Sequence, residues 1–175
     1  MTPALAEFDN AMLPHLDAAF NLARHLTGDD HEAEDIVQDA CLRALKYFSS
    51  FRGGNGKAWL LRIVRHTFYT RRRRRGMQDA LTTVFDEETH GMDATEASDP
   101  ERSVLREDAR RVLAEAMAAL PPAAREVIVL RELEGLSYDE ISRVIRVPIG
   151  TVMSRLARAR ERLQAALSAQ TSELP

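Results

Sequence analysis

Residues 137–162, SYDEISRVIRVPIGTVMSRLARARER, decide the fold of the C-terminal part of the chain. Ser137 and Glu140 have the spacing of a capping box, in which each side chain satisfies a backbone N–H at the start of a helix. We predict a short helix from this box, a turn around Pro148, and a last helix that ends near Leu167. A short helix, a tight turn and a longer basic helix are typical of a helix-turn-helix.

The last helix separates its residues onto two faces. An apolar face, expected to pack on the domain, holds Val152, Leu156, Ala159 and Leu163. The opposite face is polar and basic, and it holds Thr151, Ser154, Arg155, Arg158 and Arg162. Because arginine suits guanine edges and phosphates, this second face predicts DNA binding. A solvated charged face on an ordinary helix is the alternative.

The rest of the chain has the same helical periodicity, with apolar residues three and four positions apart. We predict helices over about Leu5–Leu26, Glu32–Phe48, from Lys57 into the arginine run, and again from Pro100, with breaks at Pro121-Pro122 and Gly135. Strand-like alternation of useful length and internal repeats are absent. The expected fold is all-α, with two small helical domains at 1–76 and 101–175 joined by a flexible acidic linker at 77–100.

Charge is strongly segregated along the 175 residues, although the net charge is only −3. Residues 1–50 carry three bases and nine acids, whereas residues 51–76 carry nine bases and no acid. Residues 77–108 carry two bases and ten acids, and residues 109–175 carry ten bases and eight acids. Since binding responds to local potential, the basic block keeps nucleic acid open as a partner in spite of the acidic total.

Several classes of protein are excluded by composition. One cysteine, Cys41, allows no internal disulfide framework and no cysteine-rich zinc site. The five histidines form no convincing metal-ligand set, and we expect no metal, no cofactor and no catalytic residue. No apolar run approaches the roughly 18–20 residues of a membrane span, and residues 1–10 do not resemble a signal peptide. We therefore expect a cytoplasmic protein without membrane insertion.

The helix that enters the arginine run has an unusual outer face. Its buried side is predicted to hold Leu60, Leu61, Val64, Thr67 and Phe68, and its outer side holds Trp59, Arg62, Arg65, His66, Tyr69 and Arg73. Cations interleaved with aromatic rings suit a single nucleic-acid strand, because cations follow phosphates while rings stack on bases. Alternatives are that Trp59 is a core residue, and that the arginines contact the acidic linker or clamp duplex DNA.

The Glu32–Phe48 helix has a second unusual feature on its outer face. Leu42 lies among Asp35, Asp39 and Lys46, opposite an apolar face that already supplies the core. A leucine ringed by acids on such a helix is a candidate anchor for a basic protein partner. A plain solvated face is the other interpretation.

Taken in order, these parts resemble bacterial RNA polymerase sigma factors of the extracytoplasmic-function (ECF) type, in the sigma-70 family. The motifs that carry the resemblance are Ala33-Glu34-Asp35-Ile36-Val37-Gln38-Asp39, Phe51-Arg52-Gly53-Gly54, Trp59-Leu60-Leu61-Arg62-Ile63, Leu120-Pro121, Arg125-Glu126-Val127, Gly135-Leu136-Ser137-Tyr138-Asp139-Glu140-Ile141, Gly150-Thr151-Val152, Ser154-Arg155-Leu156 and Arg158-Ala159-Arg160. The match covers about 10–75 and 105–165. It implies a sigma region-two helical bundle followed by a region-four helix-turn-helix.

The resemblance also implies roles. The clamp coiled coil of core RNA polymerase would bind Asp35, Gln38, Asp39 and Leu42. The Trp59–Arg75 helix and the Ser49–Gly56 loop would melt and hold the −10 promoter element, through Trp59, Arg62, Arg65, His66, Tyr69 and Arg73. The last helix would bind the duplex −35 element through Thr151, Ser154, Arg155, Arg158 and Arg162. The linker would follow the path of the RNA through the polymerase, and an anti-sigma factor is an expected partner.

Four positions depart from the family's usual residues. Asn is common at His66, Lys or Arg at Met153, Gly at Arg146 and Ala at Ser142. A left-handed backbone at Arg146 would cost roughly 1 kcal/mol relative to Gly. We expect little consequence at Ser142, because both residues are small.

Other functional classes fit fewer of these features. A stand-alone helix-turn-helix regulator would bind duplex DNA without polymerase and would leave the Trp59–Arg73 face unexplained. An enzyme using Cys41 is disfavoured because that cysteine falls on a predicted buried face, where thiols are usually inert. An anti-sigma or adaptor protein is disfavoured because both candidate nucleic-acid faces are intact.

Overall fold

The computed structural model describes the backbone of residues 3–81 and 100–171, and the side chains of residues 5–77 and 106–169. Within these ranges the chain is helical and contains no strand, which confirms the all-α prediction. The helices are α1 (Pro3–Met12), α2 (Leu16–Thr27), α3 (Asp30–Lys46), α4 (Gly56–Leu81), α5 (Pro100–Ala118), α6 (Pro122–Ile128), α7 (Tyr138–Ile145) and α8 (Ile149–Thr171). Most of the predicted linker, residues 82–99, lies outside the described residues.

The first predicted helix is in fact two helices. A 3₁₀ turn at Leu13–His15 separates α1 from α2, so the single helix predicted over Leu5–Leu26 is wrong. Pro14 explains the break, because proline has no N–H to donate and its ring clashes with the preceding turn. The apolar periodicity continues through the turn, and Phe8, Met12 and Leu22 are buried on one side.

Two local signals determine where α2 ends and where α3 begins. Gly28 adopts a left-handed conformation (φ 71°) that ends α2, and Asp29 then caps α3 by accepting a 2.7 Å hydrogen bond from the Glu32 N–H. The buried face of α3 packs between α2 and α4. The predicted buried side of α4 is confirmed in full, since Leu60, Leu61, Val64, Thr67 and Phe68 are all buried. The helix continues to Leu81, past the start of the predicted linker.

The helix-turn-helix forms as its sequence predicts. Ser137 accepts a hydrogen bond from the Glu140 N–H and the Glu140 carboxylate accepts one from the Ser137 N–H, which completes the capping box. Arg146 ends α7 with φ 57° and ψ 51°, in the left-handed conformation. The Ser142 hydroxyl donates a 2.5 Å hydrogen bond to the Val147 carbonyl across the turn. Alanine, the usual residue of the family at this position, has no such donor, so Ser142 adds a hydrogen bond to the turn.

The two helical halves are packed against each other. α4 contacts α7, and α2 contacts α6. The buried apolar side chains of both halves belong to one continuous cluster. The sequence predicted two helical domains joined by a linker, and the structure adds an extensive interface between them. This interface determines which candidate functional residues are accessible.

The left-handed turn residue gives a test of this fold. We expect Arg146→Gly to raise the free energy of unfolding by about 1 kcal/mol, because glycine has no Cβ to strain the left-handed backbone. Arg143→Gly, in the last turn of α7, should instead lower it by about 1 kcal/mol, because glycine is a poor helix former. Urea unfolding of both variants measures the difference. Equal destabilisation by the two glycines would contradict the assigned turn.

Candidate nucleic-acid interface

The outer face of α3 presents the acid-ringed leucine to solvent. Leu42 is 63% exposed, and Asp35 and Gln38 are also exposed. Asp39 is half-buried, because its carboxylate accepts a 2.6 Å hydrogen bond from Arg71 of α4. The structure thus brings these four residues together on one helix face, with one acid partly neutralised by the arginine run.

The arginine run at the end of α4 divides into paired and exposed members. Arg71 lies 3.9 Å from Asp35 in addition to its bond with Asp39, and Arg75 pairs with Glu32 at 2.6 Å. These two arginines therefore bind the acids of α3. Arg73, with Arg72 and Arg74, is exposed to solvent. α3 and α4 are cross-linked by charge at this end, and a basic surface remains beside them.

Trp59 lies at the edge of an aromatic cluster. Its ring is 5.2 Å from the Phe51 ring and 6.4 Å from the Phe48 ring, measured between centroids. Trp59 is half-buried, and Arg62 on the next turn of α4 is exposed. One part of the Trp59 ring thus packs against the core, and another part remains exposed at the surface.

Arg65 and Tyr69 are engaged by the other half of the molecule. The Glu126 carboxylate of α6 accepts hydrogen bonds from Arg65 at 2.8 and 3.2 Å and from the Tyr69 hydroxyl at 3.3 Å. Glu126 is 0% exposed, and burial raises the pKa of its carboxyl while the bonds and charge of Arg65 oppose that rise. Burial, and next the Glu126 charge, raises the pKa of Tyr69 to about 12.

Further polar contacts join the halves around this buried pair. Lys57 at the start of α4 forms a 2.8 Å ion pair with Glu134, which also accepts a 3.2 Å hydrogen bond from Asn21. Asn55, in the loop before α4, donates to the Glu140 carboxylate at 2.6 Å. The interface therefore places several carboxylates of the C-terminal half against the α4 side of the N-terminal half.

A basic cleft of about 430 Å³ lies between α4 and α7. It is lined by five basic side chains, two of them absent from the sequence-derived site: Arg43, Arg62, Arg65, His66 and Arg146, beside the rings of Tyr47 and Trp59. Partial burial lowers the pKa of His66, and the charges of Arg43 and then Arg146 lower it further. Partial burial and cations from both halves of the chain therefore disfavour the imidazolium form of His66.

The polar face of α8 is accessible over most of its length. Ser154, Arg158 and Arg162 are exposed, and Thr151 and Arg155 are half-buried. The predicted apolar stripe of α8 packs inward, with Val152, Leu156 and Ala159 buried and Leu163 partly so. Arg160 is outside this polar face and pairs with Glu132.

The contact of Glu126 with Arg65 and Tyr69 was not predicted from the sequence. It stands directly before the apolar run of residues 127–130, all of which are buried. A single acid at the start of such a run is a usable signal for a buried, partnered carboxylate. Arg43 and Arg146 carried no comparable signal, because their approach to the cleft depends on how α3 and α7 pack on α4.

The described residues offer no alternative site for a metal ion, since no group of three potential ligands meets among them. Cys41 is half-buried, and burial raises the pKa of its thiol. None of the described helices has the length and hydropathy needed to cross a membrane.

The pKa of His66 tests the contact between the halves. We expect Arg146→Gln to raise the pKa of His66 toward its ordinary value of 6.5, because one of the cations that disfavour the imidazolium is removed. An NMR titration of the ring protons measures it. Arg158→Gln on α8 is the matched control and should leave His66 unchanged. An identical pKa in Arg146→Gln and wild type would mean that α7 does not lie against α4.

Comparisons with known proteins agree with this architecture. The family model for sigma-70 region 2 matches residues 12–77, and that for sigma-70 region 4 matches residues 110–163. The chain is 34% identical over 174 residues to the ECF RNA polymerase sigma factor SigE of Mycolicibacterium smegmatis, covering 97% of this chain and 65% of that protein. It is 33% identical over 165 residues to the RNA polymerase sigma-H factor of Pseudomonas aeruginosa, covering 91% and 86%.

Solved structures extend the likeness to three dimensions. The sigma factor RpoE of Bartonella quintana, solved in complex with the anti-sigma factor NepR, superposes with a TM-score of 0.77 at 33% identity, over 93% of this chain and 97% of that one. CnrH, solved with the cytosolic domain of CnrY, gives a TM-score of 0.63 at 26% identity, over 93% and 88%. With both regions matched in order and a relative that is 33% identical over 86% of its own length, the chain belongs to the sigma-70 family, among its ECF sigma factors.

Proposed function

We propose that this chain is an ECF sigma factor that binds core RNA polymerase and directs it to promoters by recognising −35 and −10 elements and promoting DNA melting. The observation that carries the proposal is the pairing of two basic helix surfaces, on α4 and on α8, each in the half that matches a promoter-binding sigma region. The chain catalyses no reaction itself, since the polymerase performs the phosphodiester chemistry. It acts in the cytoplasm, where the polymerase and the promoters are.

The α3 face is the proposed contact with core polymerase. Leu42 supplies an exposed apolar anchor, and Asp35, Gln38 and Asp39 supply a polar and acidic rim. An apolar side chain inside a polar rim is the usual arrangement of an interface hot spot. The rim suits a basic partner surface such as a clamp helix, and the bond between Arg71 and Asp39 fixes one side of it.

The outer face of α4 is the proposed −10 surface, formed by Trp59, Arg62, Arg65, His66, Tyr69 and Arg73. Trp59 offers a ring for an unstacked base, and stacking contributes about 1–3 kcal/mol per base. The arginines follow the strand phosphates. Because this face suits a single strand, binding it shifts the promoter toward the melted state.

The polar face of α8 is the proposed −35 surface, formed by Thr151, Ser154, Arg155, Arg158 and Arg162. A helix fits the major groove of B-DNA, where arginine recognises guanine through its O6 and N7 atoms. Ser154 is small enough to let the helix backbone approach the DNA. Neither half need bind tightly alone, since a polymerase that fixes their separation makes the second contact effectively intramolecular.

We also propose that an anti-sigma factor binds this chain. The solved relatives that share its overall arrangement are sigma factors bound to NepR and to the cytosolic domain of CnrY. The likeness to RpoE covers nearly all of both chains, so it includes the relative placement of the two halves. A partner that favoured this placement would keep the sigma factor from core polymerase.

The polymerase contact is tested at its apolar centre. Leu42→Glu should weaken binding to core polymerase by roughly 30-fold, the equivalent of about 2 kcal/mol, because an acid replaces the anchor. Leu13→Glu is the control, since Leu13 is similarly exposed in the same half but lies outside α3. A fluorescence titration with purified core enzyme measures both. Equal affinities of Leu42→Glu and Leu13→Glu would remove α3 from the interface.

The −35 surface is tested by a double substitution on α8. Arg155→Ala combined with Arg158→Ala should abolish −35-dependent run-off transcription, because each lost guanine contact costs about 1–3 kcal/mol. Arg110→Ala combined with Arg111→Ala on α5 removes the same charge from the same half and should keep transcription near wild type. Unchanged transcription by the α8 variant would contradict the assignment of the recognition helix.

A further inference from the structure

We propose that three glutamates of the C-terminal half, Glu126, Glu134 and Glu140, stand in for strand phosphates on the α4 face, so that the closed chain masks its own −10 surface. The inference rests on the function proposed for α4. It concerns the free sigma factor, in which the halves are in contact, and it names the groups that DNA has to displace.

Glu126 makes the central contact of this mask. Its carboxylate accepts from both Arg65 and Tyr69, which are two of the six residues proposed to hold the melted strand. Arg65 gives Nε and one Nη to a fully buried carboxylate, so this edge of its guanidinium cannot also hold a phosphate. In this arrangement that edge of Arg65 and the Tyr69 hydroxyl are therefore occupied by Glu126 and unavailable to DNA.

Glu134 and Glu140 extend the mask toward the start of α4. Glu134 pairs with Lys57, and Glu140 accepts from Asn55 in the loop that precedes the helix. Lys57 and Arg65 are separated by eight positions, or about 12 Å along a helix axis. The three carboxylates thus contact the N-terminal half at Asn55, Lys57 and Arg65, which extends the contact from the loop before α4 along the first part of the helix.

The three glutamates do not pair with every cation of the α4 face. Arg62 and His66 line the basic cleft together with Arg43 and Arg146, and no carboxylate is among the residues that line it. Like charges facing each other across a cleft oppose closure. A DNA strand would replace the glutamates and would also neutralise these cations, so the exchange favours DNA once the halves separate.

The decisive experiment removes the three charges together. Glu126→Gln, Glu134→Gln and Glu140→Gln in one chain keep side-chain size, and glutamine also fits the capping box that Glu140 completes. The control chain carries Glu107→Gln, Glu132→Gln and Glu161→Gln, which change the net charge equally at exposed glutamates of the same half. Any gain in DNA affinity from net charge alone appears in both chains.

Two readouts are taken without polymerase at low salt. Anisotropy of a dye-labelled single-stranded DNA oligonucleotide of mixed sequence measures binding, and we expect the triple variant to bind at least tenfold more tightly than the control chain. Trp59 is the only tryptophan, and Val144 of α7 and Arg146 directly after α7 line the cleft beside it. Its emission should shift to the red and its quenching by acrylamide should rise in the triple variant.

The outcomes separate this proposal from the function on which it rests. Equal strand affinity and equal Trp59 emission in the triple variant and the control chain would overturn the mask. The second outcome concerns the −10 surface. If the Trp59 emission shifts but Arg62→Ala plus Arg73→Ala does not weaken strand binding, the halves do open, and the assignment of the −10 surface to α4 is contradicted. Should circular dichroism show the triple variant unfolded, Glu140→Gln alone, at the accessible end of this contact, should give a smaller change in the same direction, and no change would count against the mask.

Discussion

The arrangement of the two halves depends on the buried carboxylate of Glu126. A charged group without water needs a charged or hydrogen-bonded partner, because burying it alone costs several kcal/mol. Here the partners are Arg65 and Tyr69, which belong to the other half of the molecule. When the halves separate, water hydrates Glu126, Arg65 and Tyr69 instead. The hydrogen bonds among these residues therefore contribute little net stability, and their main effect is to fix the orientation in which the halves pack. Burial as the leading influence on the pKa of Glu126 is consistent with that balance.

Under the proposed function, Arg65 and Tyr69 have two competing partners, Glu126 and the DNA strand. Arg65 binds a carboxylate in the closed chain and is proposed to bind a strand when promoter DNA is melted, and the same edge of its guanidinium cannot do both. The free energy that opens the chain has to come from outside it, and core polymerase is the natural source, because any partner that binds only the open form shifts the equilibrium toward it. The exposed Leu42 face lies on α3, which carries none of the three masking glutamates and is free for that first contact.

Local features of the fold could be predicted from the sequence because they depend on neighbours along the chain. The capping box of Ser137 and Glu140, the left-handed end of α2 at Gly28 and the buried stripe of α8 each follow from spacing. The break at Pro14 was available from the same rules, but the continuous apolar periodicity on both sides concealed it. The α3 and α8 faces were likewise predictable, since a helix that buries one side presents the other.

The contact between the halves was not predictable in this way, because it joins residues far apart in sequence through charged groups. Lys57 with Glu134 and Arg65 with Glu126 are separated by 77 and 61 positions, and each of these side chains also fits a solvated or DNA-bound role. The segregation of charge was the one general indication of such a contact, because the basic residues 51–76 are expected to pair with acidic groups of a partner or of the same chain.

The amount of masking needed for regulation is small. A closed form that outweighs the open form by a factor of 100 lowers apparent DNA affinity about 100-fold, which corresponds to only about 2.7 kcal/mol. The contacts of the three masking glutamates, at roughly 0.5–1.5 kcal/mol net for each glutamate, are of that order. The opposing repulsion in the basic cleft keeps the total from growing larger. Under the proposed masking, a contact of this size is strong enough to lower the DNA affinity of the free chain and weak enough for polymerase binding to reverse it.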